Sequence, residues 1–124
     1  RNAAAFGVDA LVLDPATCDP LSRRVIRVSM GHALRVPFAR AALGEILDID
    51  LPLVALTPSA STDIAELSAG DSYALLVGNE GDGLSDAILC AAGVTPARIT
   101  MAKGVDSLNV ATTAAVALAL LRRR

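Results

Sequence analysis

Three glycines and two carboxylates follow an apolar run in Tyr73-Ala74-Leu75-Leu76-Val77-Gly78-Asn79-Glu80-Gly81-Asp82-Gly83-Leu84, and Ser85-Asp86 then offers a helix start. This is the composition of a ligand loop. Glycines at 78, 81 and 83 permit positive φ and leave no Cβ between the backbone and a bound molecule. Two carboxylates, Glu80 and Asp82, would repel a pyrophosphate, and the loop has neither the Gly-x-Gly-x-x-Gly order of a dinucleotide site nor the Lys-Ser/Thr of a Walker loop. A neutral or cationic ligand suits it better.

A second signal lies near the C-terminus. Ile99-Thr100-Met101 reads as a short buried strand, and Gly104-Val105-Asp106-Ser107-Leu108-Asn109-Val110 leads into an Ala/Leu/Val run ending at Leu121. Asp106 or Ser107 is expected to cap that helix, with Asn109 projecting from its first turn. If the strands carrying the two loops are neighbours, Asn109 reaches the mouth of the 78–84 loop. His32, the single histidine, is read as structural or superficial rather than as a proton carrier.

The elements that must position these residues alternate between strand and helix. A helix end at Arg1 to Phe6, closed by Gly7, precedes an apolar strand from Val8 to Leu13. Asp19-Pro20 reads as a helix start, with the segment running to Met30 and stopped by Gly31. Pro37 argues for a short edge strand at 35–39, and a helix near 41–48 precedes the strand Leu53 to Thr57, which Pro58 ends. Ser61 or Thr62 is expected to start a short helix. The strand 73–77, the glycine loop, a helix begun by Ser85 and stopped near Gly93, the strand 97–101 and the last helix complete an α/β pattern with a mostly parallel sheet flanked by helices.

A length of 124 residues and 53% hydrophobic content suit one domain with a substantial core. No apolar window is long enough to span a bilayer and no leader-like segment opens the chain, so a cytoplasmic setting is expected. Cys18 and Cys90 are too few and too distant for a metal cluster or a disulfide framework, and they read as buried reduced thiols, with no metal site visible. A net charge of −2 and three aromatic residues do not describe a self-sufficient nucleic-acid binder. Positive charge nevertheless clusters at Arg23, Arg24 and Arg27, at Arg35 and Arg40, and at Arg122 to Arg124. These clusters read either as solvated helix faces and helix ends or as phosphate contacts.

Taken in order, these segments resemble the SpoU (TrmH-type) RNA 2′-O-ribose methyltransferases of the SPOUT class. Gly78-Asn79-Glu80-Gly81-Asp82-Gly83-Leu84 is similar to the family's motif 2 and Ser107-Leu108-Asn109-Val110 to motif 3. Arg1-Asn2-Ala3-Ala4-Ala5-Phe6-Gly7-Val8-Asp9-Ala10 resembles the second half of motif 1, and Ser29-Met30-Gly31 and Val36-Pro37-Phe38 match landmarks between the motifs. Thr100 stands where the family usually has Pro, and Ala111 where Ser often follows Asn-Val. The match runs essentially end to end. Because the motif opens at its arginine, the chain is expected to lack the first strand of the domain and any upstream RNA-binding domain.

The resemblance implies a deep C-terminal trefoil knot, a homodimer paired through the last helix, and S-adenosylmethionine as cofactor. It implies cofactor contacts at Leu56, Thr57, Gly78, Asn79, Glu80, Gly81, Ile99, Met101 and Leu108, with apolar side chains sandwiching the purine. The implied reaction is methyl transfer to a ribose 2′-hydroxyl of rRNA or tRNA. Arg1 matches the catalytic arginine, whose permanent charge can stabilise a developing alkoxide or fix a phosphate. Ser107 and Asn109 can orient the ribose or that arginine, and Glu80 can hold these donors through charge-assisted bonds. Two other classes stand beside this one: a knotted module without catalysis that binds RNA or dimerises, and a doubly wound enzyme with a nucleotide cofactor, which the acidic loop disfavours.

Overall fold

The computed structural model describes residues 1–121; Arg122, Arg123 and Arg124, the last of the basic clusters, lie outside the described residues. Packing divides the chain into two compact units, one ending at Asp48 and one opening at Ile49. Each carries its own sheet, and every strand pair is parallel. The single sheet expected from the alternation is therefore two.

The first unit comprises α1 (Asn2–Phe6), β1 (Leu11–Leu13), α2 (Arg23–Val28), a 3-10 turn (His32–Leu34), β2 (Phe38–Arg40) and α3 (Leu43–Leu47). The apolar run from Val8 pairs only from Leu11 onward, because its partner strand begins after Pro37, whose carbonyl accepts the Leu11 N–H at 2.9 Å. The helix expected from Asp19 starts later. Asp19 Oδ1 instead accepts the Leu21 N–H at 2.9 Å in an Asx turn, and Ser22 caps α2 by accepting the Val25 N–H at 3.4 Å. Arg40 donates to the carbonyls of Asp14, Pro15 and Cys18 at 3.1, 3.3 and 3.4 Å, so that arginine ties the 14–18 turn to β2. Ser29 is buried; its hydroxyl donates to the Ile26 carbonyl at 3.1 Å and accepts the Ala33 N–H at 3.2 Å. This stitches α2 to the His32 turn, whose first residue is the half-buried histidine.

The second unit comprises β3 (Leu53–Leu56), a 3-10 turn (Ile64–Glu66), β4 (Ala74–Leu76), α4 (Asp86–Leu89), β5 (Val94–Ala97) and α5 (Val110–Leu121). Its strand order is β4-β3-β5. β3 is buried along its whole length, which is why an uninterrupted apolar run rather than an alternating one encodes it. Val54, Leu56, Ile64, Ala97, Ala117 and Leu121 form the core, so α5 is fastened to the sheet by one side of its last turns.

The last strand departs from expectation. Ile99 to Met101 is irregular, and the strand is Val94–Ala97, carrying Pro96. A proline is tolerated there because β5 is an edge strand. Beyond β5 the chain is held by other means. Ile64 donates its N–H to the Arg98 carbonyl at 2.8 Å, and Arg98 donates its own N–H to the Thr62 carbonyl at 2.9 Å. Asp63, rather than Ser61 or Thr62, caps the short turn by accepting the Ala65 N–H at 2.8 Å, and its second oxygen accepts the Thr100 hydroxyl. Both thiols are exposed, contrary to the buried reading: Cys18 follows the turn at Asp14-Pro15 and Cys90 ends α4. Among the described residues no helix is long and apolar enough to cross a membrane.

The Thr100 hydroxyl, then the Ala65 N–H and the charge of Arg98, hold the Asp63 carboxyl below its ordinary pKa. A depressed carboxylate stabilises the fold above its unfolded pKa and loses that contribution as pH falls through the folded one. Asp63→Asn is therefore expected to lower Tm at pH 7 and to shrink the difference between Tm at pH 7 and at pH 3. Thermal melts of both proteins across that range check it; parallel curves would show that this carboxylate does not couple to folding.

Candidate functional site

The C-terminal ends of β3, β4 and β5 open onto one cavity of about 270 Å³, built entirely from the second unit. This is where open parallel sheets place ligands, because the loops leaving neighbouring strands splay apart there. Leu56 and Thr57 enter it from β3, Gly78, Asn79, Glu80 and Gly81 from the loop after β4, and Ile99 and Met101 from the segment after β5. Ser107 and Leu108 close it ahead of α5. All nine residues expected at a cofactor site thus line a single cavity.

The loop after β4 is folded around one side chain. Asn79 Oδ1 accepts the N–H groups of Gly81, Asp82 and Gly83 at 2.9, 2.7 and 3.3 Å. Three converging N–H groups make a nest that would attract an anion, and here the nest is filled by the chain's own amide oxygen. The Asn79 side-chain oxygen is thereby committed to the loop. The glycines have separate duties. Gly83 has φ of 69°, a left-handed conformation that favours glycine, whereas a Cβ at Gly78 would overlap the backbone of Gly83 and Leu84. Gly81 has neither constraint: the nearest atom to a Cβ there is Asn79 Oδ1 at 3.5 Å, an ordinary contact. Of the three glycines that permit a positive φ, only Gly83 uses it.

Asn109 joins this loop to α5. Its Oδ1 accepts the N–H groups of Ala111 and Thr112 at 2.9 and 3.3 Å, so Asn109 caps the helix in place of Asp106 or Ser107. Its Nδ2 donates to Glu80 Oε1 at 2.8 Å. The expected link between Glu80 and the motif near the C-terminus is therefore present, made by the cap residue. Ser107 lines the cavity without capping anything. Arg1 is exposed ahead of α1 in the first unit, and its carbonyl accepts the Ala5 N–H at 3.0 Å.

Sequence reasoning missed several wall residues. Val77, 41% exposed at the end of the apolar run before the glycine loop, is one. Arg98 supplies a positive charge among Glu80 and Asp82, anchored by donating to the Ala60 carbonyl at 3.2 Å. Its position directly before Ile99 was the available signal. Thr113, four residues after Asn109, donates to the Asn109 carbonyl at 3.0 Å and also lines the cavity.

The model of the SpoU rRNA methylase family matches residues 1–119. An uncharacterized tRNA/rRNA methyltransferase of Mycobacterium tuberculosis is 48% identical over 126 residues, covering 94% of this chain and 43% of that protein. Among solved structures, an AdoMet-bound rRNA methyltransferase from Sinorhizobium meliloti superposes with a TM-score of 0.90 at 32% identity, covering 99% of this chain and 49% of its own. An RNA 2′-O ribose methyltransferase superposes with a TM-score of 0.87 at 36% identity, covering 98% and 48% respectively. The chain thus spans a little under half the length of these relatives. With the match running through the glycine loop, the Asn109 cap and the arginine that opens the chain, this chain belongs to the SpoU rRNA methylase family.

Proposed function

We propose that this chain is the catalytic domain of an S-adenosylmethionine-dependent methyltransferase that modifies a ribose 2′-hydroxyl of rRNA or tRNA. The observation that carries the reading is the 2.8 Å bond from Asn109 to Glu80, which unites the two family-like segments at one cavity. The walls fit the cofactor. Leu56, Ile99, Met101 and Leu108 offer apolar faces to a purine, and Glu80 and Asp82 favour a positive charge. The loop N–H groups already serve Asn79, so no cradle remains for a pyrophosphate. When bound, S-adenosylmethionine supplies a methyl group made electrophilic by a sulfonium. The chain's own residues act on the acceptor. Arg1 is assigned the stabilisation of negative charge developing on the ribose oxygen, being too basic to remove the proton itself. Ser107 has a free hydroxyl position at the cavity from which to orient the ribose. Asn109 and Glu80 act as positioning residues.

The family resemblance also supports a knotted C-terminal segment and a homodimer. On α5 only Ala117 and Leu121 are buried, leaving an otherwise apolar helix half-covered. A second copy would cover it. Light scattering of the full-length protein across a dilution series is expected to give a dimer down to micromolar concentration; a monomer there would remove the pairing.

Calorimetry is expected to register S-adenosylmethionine and its demethylated product, and neither NAD nor ATP. With tritiated methyl donor and bulk RNA, label should survive alkaline hydrolysis within alkali-resistant dinucleotides, since a 2′-O-methyl group blocks cleavage of the adjoining linkage. Label confined to mononucleotides would place the methyl group on a base and overturn the ribose assignment.

Substitutions separate the glycine roles from the arginine role. Gly78→Ala is expected to destabilise the fold by about 2 kcal/mol, because the new methyl meets backbone that cannot swing away. Gly81→Val should leave Tm nearly unchanged and abolish cofactor binding. In the full-length protein, Arg1→Ala should lower kcat by roughly 100-fold while cofactor affinity stays within about threefold. Differential scanning fluorimetry, calorimetry and the tritium assay read these in turn. Normal cofactor binding by Gly81→Val would move the cofactor away from the loop, and full activity of Arg1→Ala would remove Arg1 from the mechanism.

A further inference from the structure

Helix α2 opens against its own electrostatics. Arg23 and Arg24 occupy its first two positions, where the helix dipole favours carboxylates, and its first turn contains no acidic residue. Arg27 lies four residues after Arg23 and three after Arg24, so the three guanidiniums share one face and frame a shallow cleft. All three side chains are exposed and, among the described residues, make no hydrogen bond or ion pair. Arg40 shows the contrast, since it is spent on three carbonyls of the 14–18 turn. The sequence around α2 keeps neutralising groups away: between Asp19 and Glu45 there are five arginines, at 23, 24, 27, 35 and 40, and no aspartate or glutamate. In a chain of net charge −2, Arg23, Arg24 and Arg27 concentrate positive charge without bonding to any described part of the fold.

Like charges three and four apart repel, and cations at a helix start oppose the dipole, so stability alone does not account for this arrangement. An external polyanion does. We propose that Arg23, Arg24 and Arg27 form a phosphate-contacting face that grips the backbone of the RNA substrate, an assignment that rests on the RNA reading of the cavity. The contacts are to phosphates rather than bases. α2 offers no aromatic side chain for stacking, and the unpaired guanidiniums are free to follow successive phosphates. The net acidity of the whole chain is then no obstacle, because counterion release depends on the local cluster.

The test compares the full-length protein with its R23Q/R24Q/R27Q and R23K/R24K/R27K variants. Binding of a 20-nucleotide oligouridylate and of bulk tRNA is measured from 50 to 300 mM salt. Three lost phosphate contacts should reduce the slope of log K against log salt by about 2 in the Gln variant, with affinity at low salt falling tenfold or more. The Lys variant should keep the slope. Circular dichroism and Tm establish that both remain folded. An unchanged slope in the folded Gln variant, or a Lys variant as weak as the Gln one, would overturn the proposal, as would loss of binding to phosphatidylserine vesicles with RNA affinity intact. Titration of S-adenosylmethionine into the same proteins keeps the two readings apart. A reduced slope without cofactor binding upholds the RNA face and sinks the methyltransferase reading, and cofactor binding with an unchanged slope does the reverse.

Discussion

One carboxamide holds the site together. The oxygen of Asn109 satisfies two of the N–H groups that every helix start leaves open, and its nitrogen reaches the carboxylate of Glu80. The two duties depend on each other. A helix cap fixes the side-chain rotamer, and a fixed rotamer aims the remaining N–H at one point, where Glu80 accepts it. An aspartate at the same position would cap equally well but would present an oxygen to a carboxylate. A serine would cap and fall short. The requirement for a residue that accepts on one side and donates on the other leaves asparagine as the short side chain that fits.

The glycine loop solves the complementary problem. A turn with several adjacent N–H groups pointing inward attracts anions, and beside a parallel sheet it would draw phosphates to the strand ends. Asn79 occupies that position from within, so the inward N–H groups of Gly81, Asp82 and Gly83 are already satisfied and not offered to a phosphate. Glu80 and Asp82 then turn the local field negative. The outcome is a cavity whose backbone is closely approachable and whose charge favours a cation, which is the combination a sulfonium cofactor requires.

What the sequence disclosed follows from how local each cause is. The glycine loop, the helix start after Gly104 and the apolar run of β3 were legible because glycines and continuous apolar stretches act over a few residues, although the cap of that helix falls on Asn109 and not on Asp106 or Ser107. All nine proposed contacts fall on one cavity because strand ends converge in any parallel sheet. The misplaced features depend on partners distant in sequence. Pro96 masked β5, which is a strand only because β3 pairs with it. Asp63 displaced Ser61 and Thr62 as the cap because Thr100, far along the chain, holds its other oxygen. The thiols were misjudged because cysteine is usually buried, and only packing reveals that Cys18 and Cys90 are exposed.

Charge is partitioned along the chain in a way the net value conceals. The segment from Pro20 to Gly44 is basic without exception, and the segment from Gly78 to Asp86 is acidic without exception. Under the proposed function a sulfonium cofactor and an RNA chain make opposing demands, since positive charge that improves RNA affinity would weaken a cationic ligand at short range. Screening limits such effects to about 8 Å at physiological ionic strength. The basic segment belongs to the first compact unit and the acidic one to the second.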